Sequence, residues 1–364
     1  MRVEPSQLVP GCVLLNDVTG KSNKAIIPKK TTITEQHITI LEKFFITYVD
    51  VGSKLSDGKV YSPSIVQKKK EPVKKQQQTK DVSQLSFGEH YQYVVENYKK
   101  LFTAWQNNIA VDMPAVRKLI IPLFERMDQD DVNVFTLHMY SNKNDYMYHH
   151  SVAVSILAAF LGKKLGYSNG DYTQIGLAGF LSDCGMAKIT PSIINKTTYL
   201  YEQEVSQMKN HPTYSYRMVE HVPTITQLVK LAILQHHERM DGRGYPLGVQ
   251  KDKIHAYSRI IAVCDMYHAA TCERVYQSKQ SPFQAMEDIA RSKYNHFDHQ
   301  VAETFIKSLA NFAVGTKVKL SNGDVGEIVF AEDNFPTRPM VKVTKSEEIV
   351  TLKNNPDIYI EELL

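Results

Sequence analysis

The sequence predicts a mainly α protein: a helical middle flanked by a small N-terminal α+β module and a small C-terminal β segment. Three observations carry this. Apolar residues recur at three-and-four spacing through residues 88–309, short apolar runs with a single helical pattern precede them, and strict alternation follows Val314. In residues 1–55, the apolar runs 12–15, 25–27 and 46–51 and the helical pattern 34–45 make the first module. Residues 56–84 turn to Lys, Gln, Ser and Pro with few large apolar side chains, which reads as a linker. Within residues 85–312, amphipathic helices are expected over 91–105, 116–127, 151–165 and 227–234, with Gly166 capping a helix end behind Lys163 and Lys164. In residues 313–364, alternation over 317–320, the turn Ser321-Asn322-Gly323-Asp324 and resumption over 327–330 predict a hairpin. Runs at 340–343, 348–352 and 359–361 extend it into a β tail, or into a sheet on the N-terminal module.

At 364 residues the chain has material for more than one domain. Its net charge of +4 has a local origin: Lys68, Lys69, Lys70, Lys74, Lys75 and Lys80 against Glu71 contribute +5, leaving about −1 elsewhere. Such a run is a solvated linker, and a basic groove for nucleic acid is not expected. Cys12, Cys184, Cys264 and Cys272 share no CxxC spacing and suggest no disulfide framework, which fits a reducing cytoplasm. No apolar signal core follows Met1, and no stretch approaches the roughly 18 apolar residues of a membrane span. A cytoplasmic protein without a membrane partner is expected.

The most informative stretch is His236-His237-Glu238-Arg239-Met240-Asp241-Gly242-Arg243-Gly244-Tyr245-Pro246. Adjacent imidazoles on a regular helix diverge by roughly 100°. Both face one point only where a helix frays into a loop, which the glycine and proline signals supply. A helix-capping His236 beside a solvated His237 would fit the run equally well on its own. The crowding of 11 of the 13 histidines between His138 and His299 favours a site.

Phosphate-ester hydrolysis at two metals needs histidines and a carboxylate able to bridge both ions. His150 opens an apolar helix, Asp183 follows the apolar run 177–181, His211 precedes Pro212 at a helix boundary, and Asp265 ends the apolar run 260–264. A carboxylate in such a setting is costly unless paired or metal-bound. Ligation is therefore favoured over a buried cap for Asp183 and Asp265, whereas His150 or His211 alone reads first as a hydrogen-bonded core histidine.

From Tyr146 to Tyr276 the order and spacing of these residues resemble the HD-GYP domain, the cyclic di-GMP phosphodiesterase branch of the HD superfamily of metal-dependent phosphohydrolases. The resemblance covers about the middle third of the chain, and the His236 to Pro246 signature is its most specific part. Leu8-Val9-Pro10-Gly11 and Lys29-Lys30-Thr31-Thr32-Ile33-Thr34 look like the small domain often fused ahead of it, and Gly315-Thr316-Lys317-Val318 like the β extension that often follows. The resemblance implies an all-helical bundle with one or two divalent ions, iron or manganese, although such ligands also suit zinc. It implies hydrolysis of cyclic di-GMP to linear pGpG. His150, Asp183 and Asp265 would hold one metal, and Asp183, His211, His236 and His237 the other, with Asp183 as the catalytic bridge. Arg239, Asp241, Gly244, Tyr245 and Pro246 would shape the substrate pocket, and Arg274 before Tyr276 matches a family arginine near the substrate. A homodimer or a signalling protein partner is implied as well.

The namesake motif departs from the family. Where the pattern reads His-Asp-x-Gly-Lys, this chain has Ser182-Asp183-Cys184-Gly185-Met186, so a ligand and a cation are missing together. Lys188 points elsewhere on any regular helix. His268 and Val275 stand where the family usually has Asp and Pro; His268 shares a helix face with Asp265 and is a candidate substitute ligand, its bland alternative being a surface histidine. The expected function is a cyclic di-GMP phosphodiesterase with weakened turnover. The competing reading is a degenerate domain that binds cyclic di-GMP or protein partners, and the Gly-Tyr-Pro signature disfavours a phosphohydrolase for another nucleotide.

Overall fold

The computed structural model describes residues 1–3, 5–19, 25–43, 46, 48–61, 82–127, 134–274, 278–292, 295–310 and 312–364. The chain divides into two compact units, Met1–Val82 and Ser83–Leu364.

In the first unit, β1 (Arg2–Val3) pairs antiparallel with β4 (Val49–Asp50), β2 (Val18–Thr19) pairs with β3 (Ala25–Ile27), and α1 (Glu35–Lys43) packs beside them. Val3, Leu8, Cys12, Leu14, Ile33, Leu41 and Val51 form its core. The expected linker begins later than residue 56. Gly58, at φ +85°, turns the chain so that Val60 bridges to Lys54, and the buried Tyr61 donates its hydroxyl proton to the Gln7 carbonyl at 2.7 Å. One aromatic anchor and one turn glycine extend the module through a stretch whose average composition is polar. Residues 62–81, with the lysine run, lie outside the described residues, as do residues 44 and 45 of the expected helix.

The second unit opens with α2 (Phe87–Gln106), whose start is set by a reciprocal cap: Ser86 Oγ accepts from the Glu89 N–H at 3.3 Å while Glu89 accepts from the Ser86 N–H at 2.9 Å. Then follow α3 (Met113–Glu125), α4 (Tyr146–Lys164), α5 (Asn169–Leu181), α6 (Pro191–Ile194), α7 (Glu202–Met208), α8 (His211–Val219), α9 (Gln227–Gln235), α10 (Ala256–Thr271), α11 (Pro282–Ser292) and α12 (His299–Leu309). Short 3-10 turns at Val134–Tyr140 and Cys184–Lys188 join them. The pair α4 and α5 is the axis of the bundle. Every residue from His149 to Ala159 is buried, as expected for a helix surrounded on all sides. A Cβ at Gly176 would lie 2.5 Å from Phe124 and 2.9 Å from Ala159, so only glycine lets α5 approach this closely. Helix α4 begins at Tyr146, which puts His150 in its second turn rather than at its opening.

The C-terminal strands β5 (Lys317–Leu320), β6 (Val325–Phe330), β7 (Met340–Val343), β8 (Ile349–Thr351) and β9 (Ile360–Leu363) form one antiparallel sheet in the order β8-β7-β6-β5-β9. The sheet is not a free tail. Val318, Leu320, Ile328, Val341 and Ile360 join the hydrophobic core of the helices, Ser281 donates to the Ile360 carbonyl, and Arg338 pairs with Glu287 of α11. Alternation along each strand gives it an apolar face, and the bundle supplies the cover. The four cysteines are free and buried, and no helix among the described residues is long and apolar enough to cross a membrane.

His90 on α2 and His138 both titrate at about 4: burial pushes each down, the Arg126 charge adding for His90. The unfolded chain takes up these protons near 6.5. The unfolded state therefore binds more protons between pH 6.5 and 4, and stability is full above pH 6.5 and falls as pH drops toward 4. The thermal midpoint should decline over that window, and a combined His90→Gln and His138→Gln variant should show a shallower decline; an equally steep curve would contradict the assignment.

Candidate metal centre

Asp183 lies just past the end of α5, and the turn that carries it is held by close packing. Ser215 of α8 donates to the Ser182 carbonyl at 2.6 Å, and its hydroxyl oxygen accepts from the Gly185 N–H at 2.8 Å. A Cβ at Gly185 would sit 2.3 Å from the His211 carbonyl oxygen and from the Ser215 nitrogen. Glycine there is what brings the turn against the first residue of α8, His211.

Around Asp183 the predicted residues come together. Its Oδ1 lies 3.2 Å from His211 Nε2 and 3.7 Å from His236 Nε2, while Oδ2 lies 3.6 Å from His150 Nε2. Asp265 completes the second half, with Oδ1 at 3.0 Å from His150 Nε2 and Oδ2 at 3.7 Å from His237 Nδ1. Asp183, His211, His236 and His237 each offer a ligand atom within 4.8 Å of the others and could hold a metal ion. His236 caps α9, where the helix gives way to the loop, and this lets it and His237 point into one site.

The electrostatics favour a cation. His211 Nδ1 lies 2.8 Å from the Met208 carbonyl and His236 Nδ1 lies 2.7 Å from the Ile233 carbonyl. A carbonyl only accepts, so both Nδ1 atoms donate, and each ring in its neutral form presents a bare Nε2 lone pair. Those two Nε2 atoms face each other at 3.2 Å beside a carboxylate oxygen. Lone pairs so placed repel unless a cation or a proton lies between them. Burial alone would raise the Asp183 carboxyl, but the imidazoles of His211, His236 and His150 around it outweigh burial and hold it well below the usual carboxylate range. Asp265 follows the same pattern: burial raises it, and His237 and His150 bring it down further. Burial and the neighbouring His236 push the His237 imidazole well down, so it stays neutral and able to ligate. Two buried carboxylates converge here with imidazole nitrogens, the donor set that a divalent ion takes.

The loop beyond His237 is built as a wall. The Tyr245 ring stacks on His237 at 4.7 Å between centroids and 28° between planes, and Lys209 Nζ lies 5.6 Å from the Tyr245 ring centroid. A Cβ at Gly244 would lie 2.4 Å from the Arg239 nitrogen and from Glu238 Cα, so the loop folds back on itself only with glycine there. Pro246 follows through a cis peptide bond. The Arg239 guanidinium lies 5.0 Å over the Phe297 ring, and its buried Nη1 has no hydrogen-bond partner among the described residues. Asp241 serves the loop itself: Oδ1 accepts from the Arg243 N–H at 3.0 Å and Oδ2 lies 3.6 Å from His296 Nε2. Arg274 stacks over Tyr146 at 5.6 Å, beside His150; Val275 and Tyr276 lie outside the described residues.

The departures from the motif have definite places. Ser182 Oγ donates back to the Gly179 carbonyl at 2.9 Å and so faces its own helix. Met186 packs against the hydrophobic core, and Lys188 Nζ donates to the Trp105 carbonyl at 2.6 Å, away from the cluster. His268 is not a surface histidine. It is fully buried, because α10 runs through the interior, and it sits behind His150 rather than in the four-residue group.

Two contributors are not evident from the sequence. Glu238 is buried and accepts from the Leu247, Gly248 and Val249 N–H groups at 2.7, 3.2 and 3.1 Å, which ties the far side of the Gly-Tyr-Pro loop. A carboxylate wedged between His237 and Arg239 was the available signal. Ser215, the clamp on Asp183, carries no signal in sequence at all.

The fold and the site together define an HD-domain protein, and residues 136–301 match the family model described as HD domain. With the His-His-Glu run and the Gly-Tyr-Pro loop on the edge of the cluster, the chain is an HD-GYP domain protein. It is 34% identical over 200 residues to the cyclic di-GMP phosphodiesterase PA4108 of Pseudomonas aeruginosa, covering 55% of this chain and 48% of that protein. It is 31% identical over 173 residues to a cyclic di-GMP phosphodiesterase of Thermotoga maritima, covering 47% of each. The chain thus spans about half the length of the curated relatives it matches. Among solved structures, Bd1817, a HDG"Y"P protein from Bdellovibrio bacteriovorus, shares the fold, with a TM-score of 0.51 at 15% identity over 85% of this chain and 99% of that one.

Charge-assisted acceptance of three amides makes Glu238 the anchor of the loop. Glu238→Gln should speed hydrogen exchange at the Leu247, Gly248 and Val249 amides by at least tenfold, with a loss of about 1.5–3 kcal/mol in stability. Unchanged exchange at those three amides would show that the loop is held by something else.

Proposed function

We propose that this chain is a metal-dependent cyclic di-GMP phosphodiesterase of the HD-GYP type whose turnover is weakened at the Ser182 and Met186 side. The observation that carries the reading is the Asp183 carboxylate, with one oxygen toward His211 and His236 and the other toward His150. The relatives named as cyclic di-GMP phosphodiesterases support the substrate class. His211, His236, His237 and Asp183 would hold one divalent ion, and Asp183, Asp265 and His150 a second. Iron and manganese both suit this mixed nitrogen and carboxylate set. When bound, such ions supply charge neutralisation at the phosphoryl oxygens and a more nucleophilic water.

The protein's own part is arrangement. Backbone carbonyls hold His211 and His236 in the ligating tautomer before any ion arrives, so binding needs no rearrangement there. Tyr245, braced on His237, gives a flat wall against which a guanine ring can stack. Arg239 and Lys209 place cations on the Tyr245 side, where a phosphodiester carries its charge.

A second reading, a domain that binds cyclic di-GMP without turning it over, is favoured by one observation: Ser182 and Met186 supply neither the ligand nor the cation that the family motif supplies, and both are committed to helix backbone and core. Loss of one such group costs on the order of 10–100-fold in metal affinity or activity, which weakens an enzyme without abolishing it.

Release of linear pGpG from cyclic di-GMP with added Mn²⁺ or Fe²⁺, measured beside binding by calorimetry, separates the two. Slow metal-dependent release is expected, rising by on the order of 10–100-fold in Ser182→His. Binding with no release, in a preparation where Ser182→His does turn over, would exclude the enzyme reading for the natural chain.

A further inference from the structure

The three histidines that face Asp183, His150, His211 and His236, are not held alike. His211 and His236 each give an Nδ1 proton to a backbone carbonyl. Among the described residues the Nδ1 of His150 meets no carbonyl; it faces Tyr146 Oη at 3.1 Å and His268 Nδ1 at 3.1 Å. His268 lies one helical turn past Asp265 on α10, is fully buried, and has its Nε2 3.4 Å from Cys272 Sγ. Its Nδ1 faces His150 at 3.1 Å and lies 3.7 Å from Cys272 Sγ, its Nε2 is nearer that sulfur, and it is not among the four residues whose ligand atoms converge.

The chemistry of the partner decides the tautomer. A carbonyl or carboxylate can only accept, and it forces the proton onto the nitrogen it faces. A hydroxyl and a neutral imidazole can each donate or accept, so Tyr146 and His268 impose no choice. The choice then falls to the other side of the ring, where Asp265 Oδ1 lies 3.0 Å from His150 Nε2 and can only accept. An acceptor there draws the proton to Nε2, the atom a cation would need bare.

We propose that His268 is a positioning residue that makes His150 a conditional ligand: metal-free, His150 carries its proton on Nε2 and donates it to Asp265, and ligation requires Nε2 to give up that proton while Nδ1 takes one from His268 and donates it back to that ring in a hydrogen bond. The proton balance closes by exchange with water. The His268 Nδ1 proton shifts to His150 Nδ1, the His150 Nε2 proton leaves to water, and His268 takes one proton from water at Nε2, toward Cys272 Sγ. No net proton is released. The inference rests on the metal reading above and adds an asymmetry to it: the half built on His211 and His236 is preset, while the half built on His150 fills only by giving up an internal hydrogen bond. An acceptor-only side chain in place of His268 would remove that step.

The test is ¹⁵N-resolved NMR of the imidazoles in the full chain, metal-free and titrated with Zn²⁺ as a diamagnetic probe, for the natural protein and His268→Asp. The expected result is His150 as the Nε2–H tautomer without metal and the Nδ1–H tautomer with Zn²⁺, whereas His268→Asp shows Nδ1–H before any metal and binds the second Zn²⁺ about tenfold or more tightly. Metal-free natural protein already in the Nδ1–H form would overturn the proposal, as would a folded His268→Asp with unchanged tautomer and affinity. If that variant does not fold, the spectrum of the natural protein decides alone. Failure of Zn²⁺ to bind anywhere would strike the metal reading instead, and the metal-free tautomer would still decide the role of His268.

Discussion

A carboxylate buried among imidazoles is the constraint around which the second unit is organised. Asp183 is held well below the usual carboxylate range although burial alone would raise it, so its charge depends wholly on the groups it faces. Those groups come from four separate helices: His150 from α4, His211 from α8, His236 from the end of α9, and Asp265 of α10 acting through His150. Each helix is placed by ordinary apolar burial, and the polar centre is the point where their buried faces would otherwise leave uncompensated charge.

Precision in that centre is supplied by small residues and backbone groups. Gly185 lets the Asp183 turn touch α8, and Ser215 clamps it from both sides. Gly244 lets the loop fold back until Tyr245 lies on His237, and Glu238 ties the far end. The well-furnished half of the site is therefore rigid by construction. On the other half, Ser182 bonds its own helix, Met186 belongs to the core, and His150 leans on a histidine that can accept or donate. The two halves of one site differ in how far they are prepared for an ion, and the proposed weak turnover follows from that difference.

Much of this was legible in the sequence, for identifiable reasons. Three-and-four periodicity gave the long helices within a few residues, since their apolar faces meet one core; alternation and the Asn-Gly turn gave the C-terminal strands. The converging histidines and Asp183 could be named because imidazoles and carboxylates in apolar runs need a partner. Other features depend on contacts that no local pattern encodes. Tyr61 extends the first module because it reaches Gln7 across the chain, and the sheet joins the bundle because its apolar face finds one there. The interior position of His268 depends on the elements packed against α10, which the sequence around Asp265 does not announce. Asp241, whose place in the signature suggests a substrate contact, is engaged in the turn of its own loop.

The most direct test of the central claim is anomalous diffraction from crystals of the natural protein grown with Mn²⁺. The account predicts an anomalous peak bonded to Asp183, His211, His236 and His237, with any second, weaker peak beside Asp265 and His150 on the other oxygen of Asp183. Full-occupancy Mn²⁺ elsewhere on the protein, with no anomalous density touching Asp183, would contradict it.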